Sequence, residues 1–140
     1  MIKNIILAGG CFWCTEAIFR RIKSVKTVVP GYIGGHTTNP TYKDICTGAT
    51  GHAEAISIDY DSKIVSLENI LMIFFSTHDP TTLNRQGNDI GTQYRSSIFN
   101  NDQNEIKIIL NFISDLEKSN KFENRIVTTI EKKSTFYVAE

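Results

Sequence analysis

Apolar residues in this chain come in short runs, and two long polar stretches separate them. Ile2 to Ala8, with Ile5, Ile6 and Leu7 together, reads as a buried strand, and Thr15 to Ile22 follows with Ala17, Ile18 and Ile22 spaced as one helical stripe. Ser24 to Ile33 alternates around Val25, Val28 and Tyr32 and reads as a second strand, ended by Gly34-Gly35. Ala53 to Tyr60 alternates again as a third strand. Ser66 and Asn69 then open a helix, Leu67 to Ser76, that carries Ile70, Leu71, Phe74 and Phe75 on one side. Ser96 to Phe99 is a short strand, and Asp102 is placed to cap a helix Glu105 to Lys118 whose apolar positions are Ile106, Ile109, Leu110, Ile113 and Leu116. Ile126 to Ile130 and Phe136 to Val138 complete the list as late strands.

This order predicts an α+β protein: a ferredoxin-like α/β plait, the split βαβ arrangement, with helices on one face, long functional loops and C-terminal additions. A thioredoxin-like sheet is the alternative, and fold alone does not choose a function between them. The polar stretches are His36 to Gly51, with room for one helical turn at Tyr42 to Cys46, and His78 to Arg95. Both are too long for bare connectors. The second supplies Asp79, Arg85, Asp89, Gln93, Tyr94 and Arg95 from a backbone punctuated by glycine and proline, the make-up of a loop that binds or reacts.

Composition narrows the classes. At 140 residues one domain is expected, spanning 1–140, with enough chain for a core that needs no disulfide staples. Formal net charge is zero and no Lys/Arg run exceeds two residues, so a nucleic-acid partner is not expected. No window reaches the roughly 18 apolar residues of a membrane span, and the apolar run after Met1-Ile2-Lys3-Asn4 is too short for a secretory signal, so a cytoplasmic protein is the expectation. Three cysteines in such a chain point to reactive thiols over a disulfide framework.

The chemistry gathers at Gly9-Gly10-Cys11-Phe12-Trp13-Cys14-Thr15-Glu16, between the first strand and the first helix. Unpaired N–H groups and the positive end of a helix dipole favour a thiolate there, so Cys11 is the candidate nucleophile, with a lowered pKa expected. Cys14 lies three residues on, where helical Cβ atoms are roughly 5 to 6 Å apart, so the pair could cycle between dithiol and disulfide. Phe12 and Trp13 could wall an apolar pocket or belong to the core.

Together with Gly31-Tyr32-Ile33-Gly34-Gly35, Pro40-Thr41-Tyr42, Gly48-Ala49-Thr50-Gly51-His52-Ala53-Glu54, His78-Asp79-Pro80-Thr81 and Arg85-Gln86-Gly87-Asn88-Asp89-Ile90-Gly91-Thr92-Gln93-Tyr94-Arg95-Ser96, that opening motif resembles the A-type peptide methionine sulfoxide reductases, in order and across almost the whole chain. The resemblance implies reduction of methionine sulfoxide, of the S epimer, in proteins or free, by enzymes specific for one sulfoxide epimer. It implies that Cys11 attacks the sulfoxide sulfur and becomes a sulfenic acid, that Phe12 and Trp13 hold the S-methyl group, and that Glu54 protonates the oxygen. Tyr42, Asp89 and Tyr94 then match the groups that hydrogen-bond to that oxygen or to an ordered water. No bound cofactor and no metal are implied; thioredoxin or another dithiol is the reductant. By residue type alone Tyr42 and Tyr94 could be loop anchors, Glu54 a solvated edge residue, Asp89 a turn former and His52 a structural histidine.

The chain departs from the family's usual pattern in two places. Cys14 stands where glycine is common, and no cysteine lies beyond Cys46, whereas many members carry recycling cysteines in a C-terminal tail. The sequence ends at Phe136-Tyr137-Val138-Ala139-Glu140, where the family usually continues through Asp-Tyr-His, and so reads as a shortened form. Cys14 is therefore the expected resolving thiol, its disulfide with Cys11 being recycled by thiol exchange. Cys46, either a competitor or simply buried, is the other choice. A general thiol-disulfide oxidoreductase using Cys11 and Cys14 is the alternative function, but it leaves Glu54 and both long loops unexplained. A zinc module built from Cys11, Cys14, Cys46 and His36 or His52 has only one of the paired Cys-x-x-Cys units that such sites need.

Overall fold

The computed structural model describes residues 1–139. Its elements in chain order are β1 (Ile2–Ala8), α1 (Phe12–Phe19), β2 (Val25–Ile33), α2 (Tyr42–Cys46), β3 (Ala53–Asp61), α3 (Leu67–Ser76), β4 (Arg85–Gln86), β5 (Asp89–Ile90), a 3-10 turn at Thr92–Tyr94, β6 (Ser97–Phe99), α4 (Gln103–Lys118), β7 (Thr129–Glu131) and β8 (Tyr137–Val138). Six strands form one sheet in the order β7-β6-β1-β3-β2-β8. Within it β3 lies between β1 and β2 and runs antiparallel to both, while β6 flanks β1, also antiparallel. That is the split βαβ plait expected from the pattern. The C-terminal additions extend both edges, β7 parallel to β6 and β8 antiparallel to β2.

Strand alternation divides the core between the two faces of the sheet. Ile5 and Leu7 of β1, Val28 and Tyr32 of β2, and Ile56, Ile58 and Tyr60 of β3 pack with Phe12 and Phe19 of α1 and with Ile70, Leu71, Phe74 and Phe75 of α3. Ile6, Ala8, Ile33, Ala53, Ala55 and Phe99 form a smaller cluster on the other face, against Phe136. Glu54 has the parity of Ile56 and Ile58, so β3 delivers its carboxyl to the α1 side, level with Tyr32, its partner in register.

The first helix begins earlier than its sequence pattern indicates. Cys11, with extended backbone (φ −68°, ψ 123°), occupies the N-cap position without a capping side-chain bond, and Thr15 is interior, its hydroxyl donating to the Cys11 carbonyl. The buried stripe is Phe12, Thr15 and Phe19, while Ala17 and Ile18 face outward. The helix stops at Phe19 because the next turn tightens, with Arg21 and Ile22 N–H donating three residues back. The late strand read at Ile126 to Ile130 pairs only from Thr129, since Val127 N–H goes instead to the Pro80 carbonyl.

The polar stretches are ordered, each by local chemistry. Thr41 and Asp44 form a reciprocal capping box that holds the single turn α2. Within His78 to Arg95, β4 and β5 make a hairpin closed by Gly87 at φ 59°, and the 3-10 turn follows it.

Candidate active site

Helix α1 presents Cys11 at its N-terminus, half-buried beside the end of β1. Hydrogen bonding from the Trp13 and Cys14 backbone N–H groups favours the thiolate, as a helix start should. Burial outweighs this, and the nearby Glu54 charge adds to it, so the Cys11 thiol sits above its ordinary value of 9.0. The lowered pKa expected from position alone is therefore wrong for the resting enzyme: the helix end is present, but the thiol is withdrawn from water.

Glu54 is only 1% exposed. Its Oε1 accepts the Phe12 N–H at 3.4 Å, and its Oε2, also buried, has no partner among the described residues. Burial, with a smaller contribution from the Asp89 charge, pushes the carboxyl up to about 7 against the opposing Phe12 N–H. A solvated edge residue is thus excluded. The group is a buried acid able to keep its proton near neutral pH, with one oxygen unengaged.

Two phenols from different loops share this space. Tyr94, on the 3-10 turn, is held above its ordinary value by burial and by the charges of Glu54, Asp89, Cys46 and Cys11. Tyr42, on α2, is held well above its ordinary value chiefly by a hydrogen bond with Cys46, then by burial and by the charges of Cys46, Glu54 and Tyr94. Both stay protonated as donors. Asp89, exposed on β5, reaches the site through its charge on Glu54 and Tyr94.

The aromatic residues form a stack that leads out of the core. Phe12 is buried against Tyr32, with ring centroids 5.7 Å apart, and lies 6.1 Å from Trp13, which in turn stacks on Tyr42 at 6.3 Å with an interplanar angle of 11°. Trp13 is 64% exposed, an open aromatic wall that no core packing requires. Cys14 is exposed one turn along α1, and all three cysteines are free. Cys46, read as a competitor or as merely buried, is exposed and bonded to Tyr42.

His52 is structural: one ring nitrogen accepts the Gly35 N–H and the other donates to the Thr37 carbonyl, which leaves none for a metal. Among the described residues no cluster of three potential metal ligands occurs.

Sequence reasoning passed over two residues that shape the site. The Gln86 amide exchanges hydrogen bonds with the Asp79 backbone, at 2.7 and 2.8 Å, and its stem covers Gly10, where a Cβ would meet it at 2.6 Å. The His78 ring packs on Gly9 and is fixed by the Phe74 carbonyl and the Ser96 hydroxyl. In the sequence, only the two glycines ahead of Cys11 hint at such close approach.

With this geometry in hand, the sequence profile of the peptide methionine sulfoxide reductase family matches residues 3–140. The chain is 54% identical over 134 residues to the peptide methionine sulfoxide reductase MsrA of Saccharolobus solfataricus, covering 96% of this chain and 75% of that protein. Among solved structures, reduced Mxr1 from Saccharomyces cerevisiae superposes with a TM-score of 0.90 at 37% identity, over 99% of this chain and 80% of that one. Mxr1 in complex with Trx2 gives 0.70 at 28% identity, over 97% and 79%. A general thiol-disulfide oxidoreductase is not favoured by these likenesses. The chain belongs to the peptide methionine sulfoxide reductase family and is a peptide-methionine (S)-S-oxide reductase.

Proposed function

We propose that Cys11 carries the reduction, with Glu54 as its acid. The observation that supports this most directly is a buried carboxyl with one unengaged oxygen, tied through Phe12 N–H to the helix start that bears Cys11. The Cys11 thiolate attacks the sulfoxide sulfur, Glu54 delivers a proton to the oxygen, and methionine leaves. The substrate sulfur gains two electrons and Cys11 loses two, ending as a sulfenic acid. Tyr42 and Tyr94 donate to the sulfoxide oxygen as charge builds on it, and Asp89 helps to keep the Glu54 proton in place. Phe12 and Trp13 receive the S-methyl group.

Cys14 is the proposed resolving thiol. It condenses with the sulfenic acid, releasing water and leaving a Cys11–Cys14 disulfide. Its exposed position on α1 suits attack by an external dithiol, and thioredoxin is the reductant inferred from the family and from the Mxr1 complex with Trx2. Substrates are oxidised proteins or free methionine sulfoxide. Residues 1–140 act as a single reductase domain, and three free thiols suit a reducing cytoplasm.

An assay of Cys11→Ser and Glu54→Gln against separated sulfoxide epimers tests the chemistry. Near-complete loss is expected for the first, and a loss of about 10²- to 10⁴-fold for the second. Full activity in Cys11→Ser would end the proposal. Mass mapping after one turnover without reductant tests the recycling, where a Cys11–Cys46 bond or a persistent sulfenic acid would reject Cys14.

A further inference from the structure

One guanidinium joins the loops that carry the acid and the phenol. Arg95 Nη1 donates to the Gly51 carbonyl at 3.0 Å and to the Thr92 carbonyl at 2.9 Å. Gly51 lies three residues before Glu54, where the chain enters β3; Thr92 opens the 3-10 turn that ends at Tyr94. The other edge of the guanidinium grips Glu131 of β7, Nε to Oε2 at 2.9 Å and Nη2 to Oε1 at 3.2 Å, the two-bond geometry that gives an arginine–carboxylate pair a fixed direction.

Glu131 is itself braced. Its Oε2 also accepts from the Ser97 hydroxyl at 2.7 Å and the Thr129 hydroxyl at 3.2 Å, and the arginine side chain is only 14% exposed. Gly34, at the end of β2, fits beneath it: a Cβ there would come within 2.8 Å of Nη2. Finally, the Tyr94 carbonyl, the acceptor next to Arg95 in the chain, takes the Gly10 N–H at 3.3 Å, which ties the arrangement to the segment leading into Cys11.

We infer that Arg95 is a positioning residue of the reductase site: braced by Glu131, it locks the start of β3 to the 3-10 turn so that Glu54 and Tyr94 converge on Cys11. A planar group with donors on two edges is required, because three chain segments are held at once. Lysine, a point charge, can serve one of them. The inference rests on the roles proposed above for Glu54 and Tyr94.

The test is steady-state kinetics across pH for Arg95→Met, Arg95→Lys and Glu131→Gln, beside Glu54→Gln, each normalised to folded protein by circular dichroism. Arg95→Met is expected to lower kcat by about 10- to 100-fold with KM changed less than about threefold, since a misplaced catalytic group costs turnover more than binding. The limb of the profile set by Glu54 should shift to lower pH as water reaches the carboxyl. Arg95→Lys should recover part of kcat, and Glu131→Gln, which keeps both carbonyl contacts, should fall less than Arg95→Met. If the folded Arg95→Met enzyme keeps its kcat and its pH profile, the positioning role is wrong. Should Arg95→Met fail to fold, an unchanged profile in both Arg95→Lys and Glu131→Gln overturns it equally. Were Glu54→Gln to retain full activity, the fault would lie instead with the reading of Glu54.

Discussion

Phe12 and Glu54 are joined across the fold by one contact, the backbone N–H of the first helical residue donating to a buried carboxyl oxygen at 3.4 Å. The link sets the proposed acid, Glu54, against the residue that follows the proposed nucleophile, Cys11. The two titrations are also interdependent, because the carboxylate raises the Cys11 pKa while the proposed mechanism needs Cys11 ionised and Glu54 protonated.

That coupling fixes the pH dependence of kcat/KM. Below about 7 both groups hold protons and no thiolate exists; above the raised Cys11 value both are ionised and no acid remains. Between these limits the pair shares one proton, and a constant small fraction carries it on Glu54. The profile should rise through about 7 and fall only on the far side of the ordinary cysteine value of 9.0. In Glu54→Gln the falling limb should vanish and the residual rate should simply follow the thiolate. A wild-type rate that declines steadily from acid pH upward would contradict the scheme.

Glu54→Gln should also make Cys11 more acidic while making the enzyme slower. Removing the carboxylate charge and leaving the N–H groups of Trp13 and Cys14 in place lowers the thiol pKa. The ultraviolet absorbance of the thiolate, or the rate of alkylation as a function of pH, reads this directly. An unchanged or higher Cys11 pKa in the variant would show that the two groups are not electrostatically coupled.

The buried acid should have a stability signature. Its folded value of about 7 exceeds its unfolded value of 4.5, so its contribution is complete below 4.5 and is lost as pH rises through about 7. The loss is on the order of 3 kcal/mol, given near-complete burial. Relative to the wild type, Glu54→Gln should therefore gain in Tm between about pH 4.5 and about pH 8. A difference in Tm independent of pH would mean that the carboxyl is solvated in solution.

Much of this site is legible in the sequence, and what is not has physical reasons. The third strand is read at Ala53 to Tyr60 and a helix at Leu67 to Ser76, close to the observed β3 and α3, whereas the side of the sheet on which Glu54 lies, with Ile56 and Ile58, comes from the fold. The stripe of Ala17, Ile18 and Ile22 sets the start of α1 at Thr15, whereas Thr15 lies inside the helix and its hydroxyl bonds back to Cys11. The raised Cys11 pKa depends on burial, which no local motif encodes. Arg95 and Glu131 are 36 residues apart and meet only because β7 adds to the edge of the sheet.

Trp13 separates binding from folding. At 64% exposure its ring contributes little to the core, yet it forms the outer wall of the stack with Phe12 and Tyr42. Trp13→Ala should lower kcat/KM by about 10- to 100-fold, the range for losing apolar contact with a small group. Stability should change by less than about 1 kcal/mol, typical of an exposed position. Calorimetry together with kinetics decides, and a variant with unaltered kcat/KM would remove Trp13 from substrate binding.

Gly10 offers a test of how the segment leading into Cys11 is held. It sits at φ +80°, and a Cβ would meet Gln86 Cγ at 2.6 Å, so two separable costs oppose any side chain. The left-handed backbone costs an alanine about 1 to 2 kcal/mol, and the overlap adds about 1 kcal/mol or more. Gln86→Ala alone should also destabilise, since it gives up both hydrogen bonds to the Asp79 backbone. Combined, the two changes should cost less than their sum, because truncating Gln86 clears the space that the new methyl needs while leaving the backbone penalty in place. A strictly additive cycle in denaturant unfolding would show that Gln86 does not cover Gly10 in solution, and that the close approach ahead of Cys11 is set by the backbone alone.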